Sequence, residues 1–134
     1  MTMTAAMEQP PTLEVFYSST CAPCRLDLPS LAQFVRNQEG RLHIVILSDE
    51  ARARDELRSV SPSLNEVATF AGVRAPREIL RDAGDSDGIL PFARAVGVDK
   101  RVCASWRGRL TFERAKKLIA ACRAFITSRS PQRP

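Results

Sequence analysis

A chain of 134 residues, 44% hydrophobic and 26% charged, has the composition of one soluble globular domain and is too short for two ordinary ones. Its net charge of +5 comes mostly from arginines interspersed with acids, as in Arg52-Ala53-Arg54-Asp55-Glu56, a solvated helix face and not a nucleic-acid stripe. The sequence holds no nucleic-acid module motif and no apolar run of membrane-spanning length.

Residues 1–11 have neither a basic n-region nor an apolar h-region, so they read as a flexible polar leader and not a secretory signal. Residues 13–17 are β-branched and aromatic and predict a strand. Ser18-Ser19-Thr20 breaks that run and supplies a helix N-cap. Then comes Cys21-Ala22-Pro23-Cys24, opening a helix over residues 22–36 in which Leu28, Leu31 and Val35 share a face. Two thiols at a helix N-terminus lie where backbone N–H groups favour thiolate, the form that attacks disulfides. Pro23 suits the first turn, whereas Pro29 removes a backbone hydrogen bond and predicts a kink. The apolar run over residues 42–47 suits a strand buried on both faces, and strand–helix–strand in this order predicts a parallel pair. His43, inside that run, reads as a packed or edge histidine.

Further along, the pattern predicts helices over residues 50–60 and 64–70, a strand over 76–80 and an Asp/Gly turn over 82–88. A helix over 90–96 stopping at Gly97, a strand over 101–106, a turn at Arg107-Gly108 and a return strand at 109–110 follow. The last helix has its apolar face on Ala115, Leu118, Ile119, Cys122 and Phe125. The domain spans residues 12–127, and 128–134 read as a disordered basic tail.

The string Cys21-Ala22-Pro23-Cys24-Arg25-Leu26-Asp27-Leu28-Pro29, set after a strand, resembles the thioredoxin superfamily and within it the TlpA/ResA-like thiol–disulfide oxidoreductases (redoxins). The resemblance implies a thioredoxin-like α/β fold, a central mixed β-sheet flanked by helices on both faces. Three positions depart from the family's pattern. Thr20 stands where an aromatic residue usually precedes the first cysteine, and Val15 where thioredoxins proper carry a buried acid. Counting from Gly97-Val98 puts the family's cis-proline position at Val102, where there is no proline, with Pro76 as a rival.

The chemistry expected is disulfide exchange with protein substrates, in the reducing direction that a proline between the cysteines resembles. Cys21, preceding the helix, attacks; Cys24, inside it, resolves. No organic cofactor is implied, and electrons come from an upstream thiol protein. Asp27 is either an exposed first-turn acid or a proton-transfer group. Cys122 reads as a buried inert thiol. Cys103 reads as a strand residue, a third thiol of the relay or a third metal ligand. Two other readings stand beside exchange: a thioredoxin-fold binding module with little turnover, and a metal or iron–sulfur carrier using Cys21, Cys24 and Cys103. A plain zinc site lacks a second CxxC. As it stands the chain reads as cytoplasmic, or as periplasmic if a native leader has been removed.

Overall fold

Alternation sets the central strand. In β1 (Thr12–Tyr17), Leu13, Val15 and Tyr17 face one side and Phe16 the other. The computed structural model describes residues 9–129. Its other strands are β2 (Arg41–Ile46), β3 (Ala68–Phe70), β4 (Phe92–Val96) and β5 (Val102–Arg107). They form one sheet in the order β3-β2-β1-β4-β5, with β1/β2 and β2/β3 parallel and β1/β4 and β4/β5 antiparallel. The helices are α1 (Ala22–Leu26), α2 (Leu28–Arg36), α3 (Glu50–Val60), α4 (Pro62–Glu66), α5 (Pro76–Asp82) and α6 (Phe112–Arg129). Helices α2, α3, α4 and α6 bury apolar residues in the core on the Leu13 face. On the other face, Leu80 of α5 packs with Phe16, Val45, Leu47 and Phe92. The predicted mixed sheet with helices on both faces is the architecture found.

Several predicted elements change. The helix expected over 90–96 is β4. Its alanines favour a helix by local propensity, but Ala93 and Ala95 are buried under the main core and Arg94 Nε donates to Glu14 Oε1 of β1 at 2.6 Å. Pairing across strands overrides propensity here. The strand expected over 76–80 is α5, with Pro76 in the first turn after an extended Ala75. The helix expected over 64–70 ends at Glu66 and gives way to β3. The helix expected over 22–36 is broken at Asp27, because Pro29 has no N–H to continue the ladder. No return strand forms at 109–110; Leu110 N–H donates instead to the Asp27 carboxylate. Helix α6 runs through to Arg129, so residues 128–129 are helical. Residues 1–8 of the expected leader and 130–134 of the expected tail lie outside the described residues.

Register defines two ends of the sheet. Phe16 pairs with Phe92, and Phe92 with Arg107; Thr12 pairs with Val96, and Val96 with Val102. Residues 18–24 therefore leave β1 at the end where β4 begins and β5 finishes. Val102 and Cys103 lie at the opposite end. At that far end the α5 face of the sheet, past the helix, is polar. His43 bonds Glu14 Oε2 through Nδ1 at 3.1 Å and Thr69 Oγ1 through Nε2 at 2.8 Å.

Candidate active site

Cys21 is the N-cap of α1, in an extended conformation, and its Sγ accepts the Cys24 N–H at 3.2 Å. Pro23 occupies the first turn, where its missing N–H costs nothing. The two sulfurs form a disulfide, with Cα atoms 5.2 Å apart. The thiols differ in access. Cys24 is 5% exposed and packed in the core, whereas Cys21 lines an open groove of about 540 Å³.

One wall of this groove is made of hydroxyls. Ser18 Oγ lies 2.9 Å from Thr20 Oγ1 and 3.1 Å from Ser48 Oγ, which ties the end of β1 to the residues following β2. The other wall is apolar: Pro76 and Leu80 of α5, with Gly88 and Leu90 from the loop before β4. Thr20, expected beside the first cysteine, is exposed there.

The loop before β4 carries a feature that sequence reasoning missed. The Leu90–Pro91 peptide bond is cis, and Pro91 meets Cys24 in a small cavity of about 10 Å³ behind the disulfide. The cis-proline position is thus Pro91 and not Val102, which begins β5 half-exposed at the other end of the sheet. Pro76 is not the position either, since it starts α5. The misplacement followed from reading 90–96 as a helix. The signal available was a proline heading the alternating run Phe92–Val96.

Asp85 braces this loop. Its carboxylate is buried; Oδ2 accepts the Ile89 N–H at 3.0 Å, and Oδ1 lies 3.7 Å from Arg107 Nε. The Asp85 N–H donates to Leu80 O at 2.9 Å, and Gly108 N–H donates to Pro91 O at 3.1 Å. Arg107 also pairs with Asp87. The loop is therefore fixed to α5 on one side and to the end of β5 on the other.

Beneath the disulfide, Asp27 is 3% exposed and not the solvent-facing acid of one sequence reading. Its Oδ1 accepts from Arg109 Nε at 2.6 Å and its Oδ2 from Leu110 N–H at 2.8 Å. It shares with Cys24 the small cavity that Pro91 also lines, a space about the size of one water probe. Nearby, the Tyr17 hydroxyl donates to Glu56 Oε1 at 2.5 Å. Burial, then that bond, pushes the phenol far above its ordinary range.

Cys103 is corrected. It is bonded to Cys122, joining β5 to α6, and register puts it at the far end of the sheet from Cys21. Cys122 is fully buried but is not a free thiol. This removes Cys103 as a third thiol or third metal ligand, and with it the three-cysteine carrier. Among the described residues, no group of three or more His, Cys, Asp and Glu is placed to hold a metal ion. No helix among them is long and apolar enough to cross a membrane.

No protein-family model and no curated protein matches the sequence. Solved structures do match the fold. A thioredoxin-related protein from Neisseria meningitidis serogroup B superimposes with a TM-score of 0.70 at 14% identity, covering 90% of each chain. A thiol:disulfide interchange protein of the thioredoxin family from Chlorobium tepidum gives 0.63 at 12% identity, over 89% of this chain and 83% of that one. StoA from Bacillus subtilis gives 0.59 at 15% identity, over 81% of both. The fold is thioredoxin-like.

Proposed function

We propose that this protein is a thiol–disulfide oxidoreductase acting on protein disulfides in the reducing direction. One observation carries the reading: an open Cys21 and a buried Cys24, joined at the start of a helix, face the loop that holds a cis-proline. In the reduced protein the Cys21 thiolate attacks one sulfur of a substrate disulfide. That S–S bond breaks, a Cys21–substrate bond forms, and the other substrate sulfur leaves as a thiolate. The Cys24 thiolate then attacks Cys21 Sγ, freeing the second substrate thiolate and closing the Cys21–Cys24 disulfide. Two electrons pass to the substrate, and a second thiol protein restores the dithiol by the same exchange. The Cys24 N–H stabilises the Cys21 thiolate, and the Asp27 carboxylate lines the same small cavity as Cys24. Pro91 answers one of the two departures behind the binding-module reading, and Thr20 in place of an aromatic residue is the other. The Cys103–Cys122 bond favours an oxidising location outside the cytoplasm over a cytoplasmic one.

The test is to trap the intermediate. Cys24→Ser is expected to accumulate mixed disulfides through Cys21, readable on a non-reducing gel and by mass spectrometry, because resolution is removed. Cys21→Ser is expected to trap none and to lose insulin reduction. Full activity in the Cys21 variant rejects the reading.

A further inference from the structure

Resting on the disulfide-exchange reading, we propose that the groove beside Cys21 selects protein disulfides whose reacting cysteine has a neighbouring carboxylate on the α5 side. Size comes first. Leu26 at the end of α1, Val73 in the loop before α5 and Ile89 in the loop before β4 are 62%, 99% and 58% exposed. All three segments lie at the Cys21 end of the sheet, as the strand directions require. Isolated exposed apolar residues are ordinary, but three on segments at the end of the sheet that holds the groove offer a surface that a protein covers and a small dithiol does not.

Charge gives the polarity. Arg77 lies on α5 next to Pro76, and its stem crosses Gly88, both residues of the groove wall. A Cβ at Gly88 would stand 2.5 Å from Arg77 Cγ and 3.2 Å from its carbonyl oxygen, so the stem is seated on the loop. Of the arginines near it, Arg74 pairs with Glu78 and Asp82, and Arg107 with Asp85 and Asp87; Arg81, one turn further along α5, adds to the positive charge of this side. Arg77 has no carboxylate partner among the described residues. Beyond the hydroxyl wall, the exposed Asp49 follows Ser48, and Arg25 of α1 donates to the Ser19 carbonyl. The α5 side is thus cationic, whereas an acid and a base stand together beyond the other wall. A substrate carboxylate is favoured towards α5 and gains little towards Ser48, so an acidic residue on one side of the cysteine is selected, not acidity at large.

The test uses reduced full-length protein and matched peptide disulfides with Asp, Ser or Lys beside the reacting cysteine, on each side in turn. Hydroxyethyl disulfide, uncharged and small, is run with the unmodified protein. The Asp peptide of the favoured side is expected to react about three- to tenfold faster than its Lys counterpart at low salt, with the ratio shrinking as salt is added. In Arg77→Glu the Asp/Lys ratio is expected to invert. A ratio, unlike a rate, is insensitive to general loss of active protein. An unchanged ratio in Arg77→Glu, or no charge preference on either side, overturns the inference and leaves exchange standing. Failure to reduce both the peptides and hydroxyethyl disulfide overturns the exchange reading beneath it.

Discussion

Tyr17 is the one tyrosine in the chain, and it closes the core directly before the active-site turn. Burial and the bond to Glu56 keep its phenol neutral in the folded protein well past its ordinary range. In the unfolded chain the same phenol ionises near pH ~10. Above that pH the unfolded state sheds a proton that the folded state keeps. The contribution to stability is thus complete below about pH 10 and declines as the pH climbs further. With a single tyrosine, phenolate absorbance reports this group alone. In an alkaline titration the phenolate signal is expected to rise only with loss of the circular-dichroism signal of the fold. Ionisation at an ordinary pKa in a still-folded protein would contradict the burial argument. In Tyr17→Phe the alkaline fall in denaturant-measured stability is expected to be shallower.

At the scale of elements, the first half of the chain was legible and the second half much less so. The strand at β1, the thiols at a helix start and the parallel partner β2 each follow from local pattern. The break at Asp27 was half legible: Pro29 announces a defect, but the burial of Asp27 depends on Arg109 and Leu110, more than eighty residues away in sequence. Segment β4 is a strand because β1 and β5 pair with it, and a window around Ala93 and Ala95 does not contain those partners. The Cys103–Cys122 pair is non-local in the same sense, since strand and helix each look complete alone. It ties edge strand β5 to α6, where Arg114 also stacks on Trp106 at 3.9 Å. Closing a loop of sequence separation 19 constrains the unfolded chain by about 3 kcal/mol in the chain-entropy account. The double variant Cys103→Ser, Cys122→Ala is expected to lose about that much stability by urea titration. It is expected to retain insulin reduction at temperatures where it is folded. Undiminished stability would mean that the bond is not a staple.

Over the whole molecule, the two disulfides stand at opposite ends of one sheet and differ in what surrounds them. Cys21–Cys24 joins an open sulfur to a buried one across a single helical turn, beside a groove that admits a second molecule. Cys103–Cys122 also joins a half-exposed cysteine to a buried one, Cys122 of α6, but it lies at the far end of the sheet and does not line the groove beside the first pair. Exchange needs a thiolate to approach a sulfur along the S–S axis, so access decides the order of reduction. Mild dithiol treatment of the native protein, followed by alkylation and peptide mapping, is expected to label Cys21 and Cys24 while leaving Cys103–Cys122 intact. Between the two motif thiols, brief alkylation at mildly acidic pH is expected to mark Cys21 first. Labelling Cys103 and Cys122 as readily as the motif would show that the far end opens without unfolding. Preferential marking of Cys24 would reverse the attacking and resolving roles. If the order holds, electrons enter and leave this molecule only through the end that carries Pro91 and the groove, and the far pair serves the fold alone.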